Sequence, residues 1–464
     1  MRKLIITAII AGLVITAGCK KFIDVNNDPN SLLDVQEGLI LSPVEVDLST
    51  NIAGCNLNTN AAIIVNHWMQ NVALNQSIPN PGTYLQLNAD FNNDWSNIYV
   101  SGLNNLNILK QKAEQNGNFN YSGIAKILTA YFFATATDLW GDIPLTEAFK
   151  GSGTFTPKYD KQEDVYKYVQ AQLDEAIADI GKNAGAKVGT DDLYYSGDMA
   201  KWMRLAYTLK ARYYMHLTKA PGYNAGTQAD LALAALQKGF ADNGDNMALA
   251  YPGAAGQENP TYLSFLPVAT LILSSHLVDE LKTRNDPRLT QLVSLSPHGT
   301  YNGRTIGDPD LGDLLDYSVP GPFYGSASSS VYMITYSEAL FIKAEATLIK
   351  SGFAAAQPFY QDGIRKNMDL TGVATGPANA YIAARGTLTS GNALQLIMEE
   401  KSIADYLSLE NFNDWRRTGF PPLTKVQNAL SEIPRRALYP QSELIANPQP
   451  QQSAKLTDRV WWDQ

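Results

Sequence analysis

Apolar residues recur at intervals of three and four along most of the chain, the period of helices that turn one face to a core. Val165, Val169, Leu173, Ile177 and Ile180 form one such stripe, opened by Asp160 and Glu163 at capping-box spacing. Trp202, Leu205, Leu209, Tyr213 and Leu217 form another between Ala200 and Lys219, and Ile124, Ile127, Leu128, Tyr131 and Phe132 mark an earlier one. Thr335 and Glu338 repeat the capping spacing ahead of Leu340, Phe341, Ala344 and Leu348, and the run from Leu394 to Leu409 carries Ile397, Ile403 and Leu407. Alternation with a period of two, which half-buried strands need, is scarce. Small residues such as Ala125, Ala130, Ala134, Ala206 and Ala211 lie along the helical faces, so paired helices can approach closely. The predicted fold is all-α, a TPR-like helix-hairpin superhelix without the strict repeat of about 34 residues. Long irregular loop insertions interrupt it at 75–94, 251–262 and 296–330, and loops of that length are usually functional.

The first residues follow a different pattern. Met1-Arg2-Lys3 precedes an apolar run from Leu4 to Thr16, too short to span a bilayer, which takes about 20 residues, but suited to a signal peptide. Thr16-Ala17-Gly18-Cys19 then places small residues before a cysteine, as at a bacterial lipoprotein cleavage site. Residues 1–18 are therefore expected to be removed and Cys19 to carry the lipid; the alternative is an ordinary secretory signal with an unrelated cysteine. No Gly/Ser tract, Pro-rich spacer or charge block divides what remains, so 19–464 is expected to be a single unit.

Composition narrows the functions. The formal charge is −9, with no Lys/Arg-rich stripe, which argues against a nucleic-acid partner. There are two cysteines, and with Cys19 acylated, Cys55 has no partner for a disulfide and reads as a small buried residue. The four histidines, His67, His216, His276 and His298, stand outside any H-E-x-x-H pattern, and no G-x-S-x-G, P-loop or G-x-G-x-x-G is present. Asp308, Asp310, Asp313 and Asp316 lack EF-hand spacing and read as a solvated acidic loop. No cofactor and no metal is implied. Glycoside hydrolysis needs only two carboxylates about 5 to 10 Å apart, so sequence alone leaves a surface hydrolase as an alternative.

Four segments carry a resemblance. The run from Cys19 to Asn30, CKKFIDVNNDPN, resembles the mature start of SusD/RagB-family lipoproteins. Asp138-Leu139-Trp140-Gly141-Asp142-Ile143-Pro144 through Ala148 resembles the family's YGDIPYTEA segment. Tyr336 to Ala346 resembles its Y-x-E…AEA helix. Glu400-Lys401 through Trp415-Arg416-Arg417-Thr418-Gly419, followed by Arg435-Arg436, Tyr439-Pro440 and Asn447, resembles its EK…W…RRTG signature. The resemblance implies a non-catalytic nutrient-binding lipoprotein of a Bacteroidetes-type outer membrane. It would capture an oligosaccharide or peptide and deliver it to a SusC-like TonB-dependent transporter. Lys20 and Lys21 directly after Cys19 depart from the acidic residues common in surface-exported lipoproteins. A TPR-like protein-protein scaffold is the other alternative.

The recognisable motifs read as structural: Trp140 and Trp415 as pins at helix ends, Arg416 and Arg417 as partners of Glu399, Glu400, Glu410 and Asp414 in an internal ion network. Ligand contacts are expected instead from aromatics beside amides and carboxylates on loops. Two regions qualify. One holds Trp68, Gln70, Tyr84, Asn93, Asp94 and Trp95, and the other Tyr301, Asn302, Tyr317, Phe323 and Tyr324. Trp68 and Trp95 could equally be core, whereas Tyr84, Tyr301 and Tyr324 are expected to contribute to binding without holding the fold.

Overall fold

The computed structural model describes residues 35–56, 61–266, 270–450 and 453–464; the signal segment, Cys19 and the run to Asn30 lie outside them. The α-helices of eight residues or more are α1 (Glu37–Asp47), α2 (Ala61–Trp68), α3 (Asn105–Asn116), α4 (Phe119–Trp140), α5 (Gln162–Lys182), α6 (Met199–His216), α7 (Ala225–Leu236), α8 (Ser275–Thr283), α9 (Tyr336–Ser351), α10 (Phe353–Leu370), α11 (Thr375–Arg385), α12 (Ala393–Ala404) and α13 (Glu410–Thr418). From α3 to α7 each helix packs on the next, α9 then packs on α7, and α10 on α9. This is the expected TPR-like superhelix. It is continuous in space although residues 237–335 leave it after α7 and return only at α9.

Helix α4 lies at its centre. Nearly all of its 22 residues are buried, so it is apolar around its whole circumference and not along one stripe. Gly123 permits the approach of α5: a Cβ there would stand 2.5 Å from Ile180 Cγ1. On α5 the stripe Val165, Val169, Leu173 and Ile180 is buried as its period predicts. The largest apolar cluster runs from Leu41 to Trp462 and joins both ends of the described chain.

Two expected boundaries differ. Helix α5 begins at Gln162 and Asp160 does not cap it. The Asp160 carboxylate instead accepts from the Leu145 and Thr146 backbone N–H groups at 3.0 and 2.8 Å, while Asp142, from the segment after α4, accepts the Gln162 N–H at 3.0 Å. A long-range partner has replaced the local cap. Helix α12 stops at Ala404 and does not reach Leu409. Leu407 takes φ +67° and joins a separate cluster with Ile63, Leu277 and Tyr406, its carbonyl accepting from Asn66 at 3.1 Å. By contrast Thr335 caps α9 as expected, its hydroxyl accepting from Glu338 N at 3.1 Å.

The motif residues meet inside the stack. Arg212 on α6 bonds both oxygens of Glu338 on α9, at 2.7 and 2.6 Å. Lys401 on α12 pairs with Asp414 on α13 at 2.6 Å, and Arg417 pairs with Asp414 at 2.7 Å and with Glu345. Arg288 pairs with Asp286 and Glu400 at 2.6 and 2.7 Å, all three fully buried. His216 donates to Glu410 across 2.8 Å, and its other nitrogen meets the Tyr166 hydroxyl, which bonds Asp138. Burial alone would pull the His216 pKa down, but the Glu410 and Asp138 carboxylates outweigh it and hold the pKa up at about 9. Arg417 fulfils the expected network role. Arg416 does not pair with the carboxylates assigned to it; it bonds Asn413 Oδ1 at 2.6 Å and the Arg435 carbonyl at 2.9 Å, between the rings of Phe412 and Trp462.

Candidate functional site

The loops form a layer beside the stack, and three segments distant in sequence build it. Among the described residues strand structure is limited to two short antiparallel pairs and isolated bridges. In the first, β1 (Val72–Leu74) pairs with β3 (Leu271–Leu273), Val72 opposite Leu273, which ties the segment after α2 to the 237–335 insertion. In the second, β2 (Met247–Ala250) pairs with β4 (Ser330–Ile334) and joins the two ends of that insertion.

Arg304 organises the layer without a carboxylate. Its guanidinium donates to the carbonyls of Leu74 (3.1 Å), Asp308 (2.6 Å), Asp310 (2.7 Å) and Leu311 (2.9 Å), and it lies over the Tyr317 ring. The third segment follows α13: Gln70 donates to the Thr424 carbonyl at 2.5 Å and Asn428 to the Gly307 carbonyl at 2.9 Å. Gly307 has φ +79° and abuts the Gln427 carbonyl, so only glycine fits that crossing. The acidic run is occupied in turns: Asp308 accepts from Asp310 N, Asp310 from Gly312 N and Asp313 from Leu315 N, while Asp316 takes His298 at 2.8 Å.

The insertion residues named from sequence lie together, half-buried. Tyr301, Phe323 and Tyr324 border one apolar cluster, and Tyr317 borders the next, shared with Ile272, Ile306 and Val426. Phe323 stacks on Tyr332 at 5.4 Å, and Tyr324 meets Tyr406 edge-on at 5.4 Å. Asn302 donates to the Asp316 carbonyl at 3.2 Å, and Tyr301 is held by Lys282 on its carbonyl at 3.2 Å. Exposed Leu295 and Leu315 add apolar surface nearby in the chain.

The earlier region is different. Trp68 is fully buried against Phe412, Gln70 lies under the loops, and Asp94 is buried with its carboxylate on Ala61 N at 3.0 Å. Trp95 is 8 % exposed in an aromatic group with Tyr99, Trp140 and Tyr159, and of this set only Asn93 is exposed. Tyr84 is 2 % exposed, with burial pushing its hydroxyl up to about 12, which corrects the expectation of a surface ring. Tyr84 and the half-buried Tyr324 both pack into the fold, so against expectation their removal carries a stability cost. Cys55 is buried and its thiol is pushed up to about 12 by burial, a packing residue. Sequence reasoning missed Arg304, because an arginine that binds carbonyls leaves no charge pattern to read.

A TPR-like scaffold carrying a loop-built face of half-exposed aromatics is the layout of a binding protein. The chain belongs to the SusD-like family: the family model described as "Starch-binding associating with outer membrane" matches residues 29–440. It is accordingly an outer-membrane-associated nutrient-binding protein and not an enzyme. Its fold is similar to that of a chitin-binding SusD homolog from Flavobacterium johnsoniae (TM-score 0.80, 23 % identity, covering 92 % of this chain and 98 % of that one). It is also similar to a SusD/RagB family protein from Bacteroides thetaiotaomicron (TM-score 0.78, 24 % identity, 93 % and 99 % covered). A further chitin-binding protein matches with TM-score 0.79 at 24 % identity, over 92 % of this chain and all of that one. At these identities the likeness is one of fold. No curated protein matches the chain.

Proposed function

We propose that the protein is a lipid-anchored receptor that captures an oligosaccharide on its loop layer and passes it to a SusC-like TonB-dependent transporter. The observation that carries this reading is the cluster of half-exposed Tyr301, Tyr317, Phe323 and Tyr324 with Asn302 on one rigidly pinned insertion. Aromatic faces take the apolar side of a sugar ring, and adjacent amides take its hydroxyls. A peptide could use the same groups, but the starch and chitin named for the family and for its structural relatives favour a glycan. The anchor is Cys19, and stable retention requires more than one acyl chain on it.

The test is extraction of the native membrane in mild detergent. The protein should co-purify with a large TonB-dependent barrel, and Cys19→Ala should abolish fatty-acid labelling and release the protein from the membrane. Recovery as a free monomer beside an unassociated transporter would overturn the partnership. Labelling of the variant would overturn the anchor.

A further inference from the structure

Tyr159, whose ring is stacked at 6.2 Å on Trp95, forms one wall of a cleft of about 390 Å³ that is no part of the loop layer. Its sides come from the α4–α5 connection, with Lys158 and Lys161, and from the C-terminal segment, with Arg436, Arg459 and Trp461. Four cations and one carboxylate, Asp142, line it in a chain whose net charge is −9; Lys158 also lies 3.8 Å from Asp160 and Arg459 3.2 Å from Asp463, so Arg436 is the member without a carboxylate partner. Asp142 is already committed: one oxygen holds Lys161 at 2.7 Å and the other holds the first turn of α5.

Arg436 is the unusual member. It is 6 % exposed, and its bonds go to the carbonyls of Ala437 (3.2 Å) and Trp140, with its plane 4.8 Å over Tyr439. Carbonyls take two of its donors but do not cancel its charge, and among the described residues no carboxylate lies within ion-pairing distance. A buried cation left in this state on the lining of an open cleft favours entry of an anion, because the pair forms where water screens it poorly. Lys158 and Arg459 at the rim are exposed, and their pairs with Asp160 and Asp463, at 3.8 and 3.2 Å, are open to solvent on the cation side, so both can turn toward an incoming anion. The half-exposed rings of Tyr159 and Trp461 supply flat apolar surface beside it.

We propose that this cleft is a second binding site, for the anionic group of an acidic sugar: a carboxylate or sulfate ester set against Arg436, with its ring laid on Tyr159 and Trp461. Calorimetry on the full mature protein tests it with tetragalacturonate, its neutral methyl ester, and a sulfated carrageenan tetrasaccharide. At least one charged probe should bind about tenfold more tightly than the ester, and added salt should weaken it. Which of the two binds identifies the anionic group. Arg436 also holds Trp140, so the decisive variant is Lys158→Gln with Arg459→Gln, at exposed positions; it should lose about tenfold in affinity with an unchanged melting temperature. Tyr301→Ala should leave this binding intact. Equal affinity for acid and ester, failure of both charged probes to bind, no effect of the double variant, loss on Tyr301→Ala, or competition by inorganic sulfate alone at the same affinity would each overturn the proposal.

Discussion

The helical stack and the loop layer bury charge in opposite ways. In the stack, charge meets charge: Arg212 on Glu338 and Arg417 on Glu345 and Asp414, buried between helices that come from distant parts of the chain, and where the insertion meets α12, Arg288 and Asp286 pair in the same way with Glu400. In the loop layer the buried cation Arg304 gathers four carbonyls and no carboxylate. The stack needs its ion pairs to fix the register of helices whose backbones are already satisfied. The layer needs donors, because irregular backbone leaves carbonyls without partners.

The comparison breaks most visibly at Arg417. Arg417→Met would leave Glu345 a buried carboxylate without its counter-ion and Asp414 with Lys401 alone, and unfolding in urea should show a loss of about 4 kcal/mol. A loss under about 1 kcal/mol would mean that the network is ornamental.

Next in size is the pH response of His216. Its pKa is raised from 6.5 to about 9, so its contribution is fully present below about pH 6.5 and is lost as pH rises through 9. Wild type should therefore lose up to about 3 kcal/mol more than His216→Asn between those limits. Parallel stability curves for the two proteins would show that the imidazole is neutral in the fold.

Arg304→Ala tests the other region. It should cost about 2 kcal/mol, since the freed carbonyls can be partly rescued by water at the surface. Hydrogen exchange should quicken over 301–318 while α4 and α5 stay protected. Uniform loss of protection would erase the distinction between the two regions.

The smallest effect on stability is expected from Tyr301→Ala combined with Tyr317→Ala, about 1 kcal/mol or less at half-exposed sites. Affinity for the cognate glycan should nevertheless fall about tenfold. Unchanged calorimetric binding in the folded variant would move the site off the insertion.

The stack was legible because its period and its motifs are local or repeat along the chain. Val165 to Ile180 declares a buried face, and Glu338, Glu345, Lys401 and Arg417 are recognisable even though their pairing is not. The start of α5 is capped by Asp142 and not by the expected Asp160, since a cap from 20 residues away leaves no local signal. Tyr84 misled for a related reason: an aromatic residue among Asn, Gly and Pro looks exposed until another loop, here the segment around Thr424 to Leu430, closes over it. The insertion aromatics were legible as a group, but their common orientation depends on Arg304 and on strand pairs of three to five residues, too short to announce themselves.

The pairing of β2 with β4 brings the beginning and end of the insertion side by side, at the place where α9 resumes contact with α7. For the connectivity of the helical stack, the chain between those strands is a single closed loop. The entropy of closing a loop grows only with the logarithm of its length, about 0.6 kcal/mol for each doubling. In loop-closure entropy the insertion can therefore lengthen or shorten with little cost to the scaffold, provided the two strands still meet and the contacts of β3 with β1 and of Arg288 with Glu400 are kept. The stack then acts as a fixed socket and the insertion as a cartridge, so a change of diet can be written into the loop 296–329 while Arg288 and the part that folds the protein stay as they are.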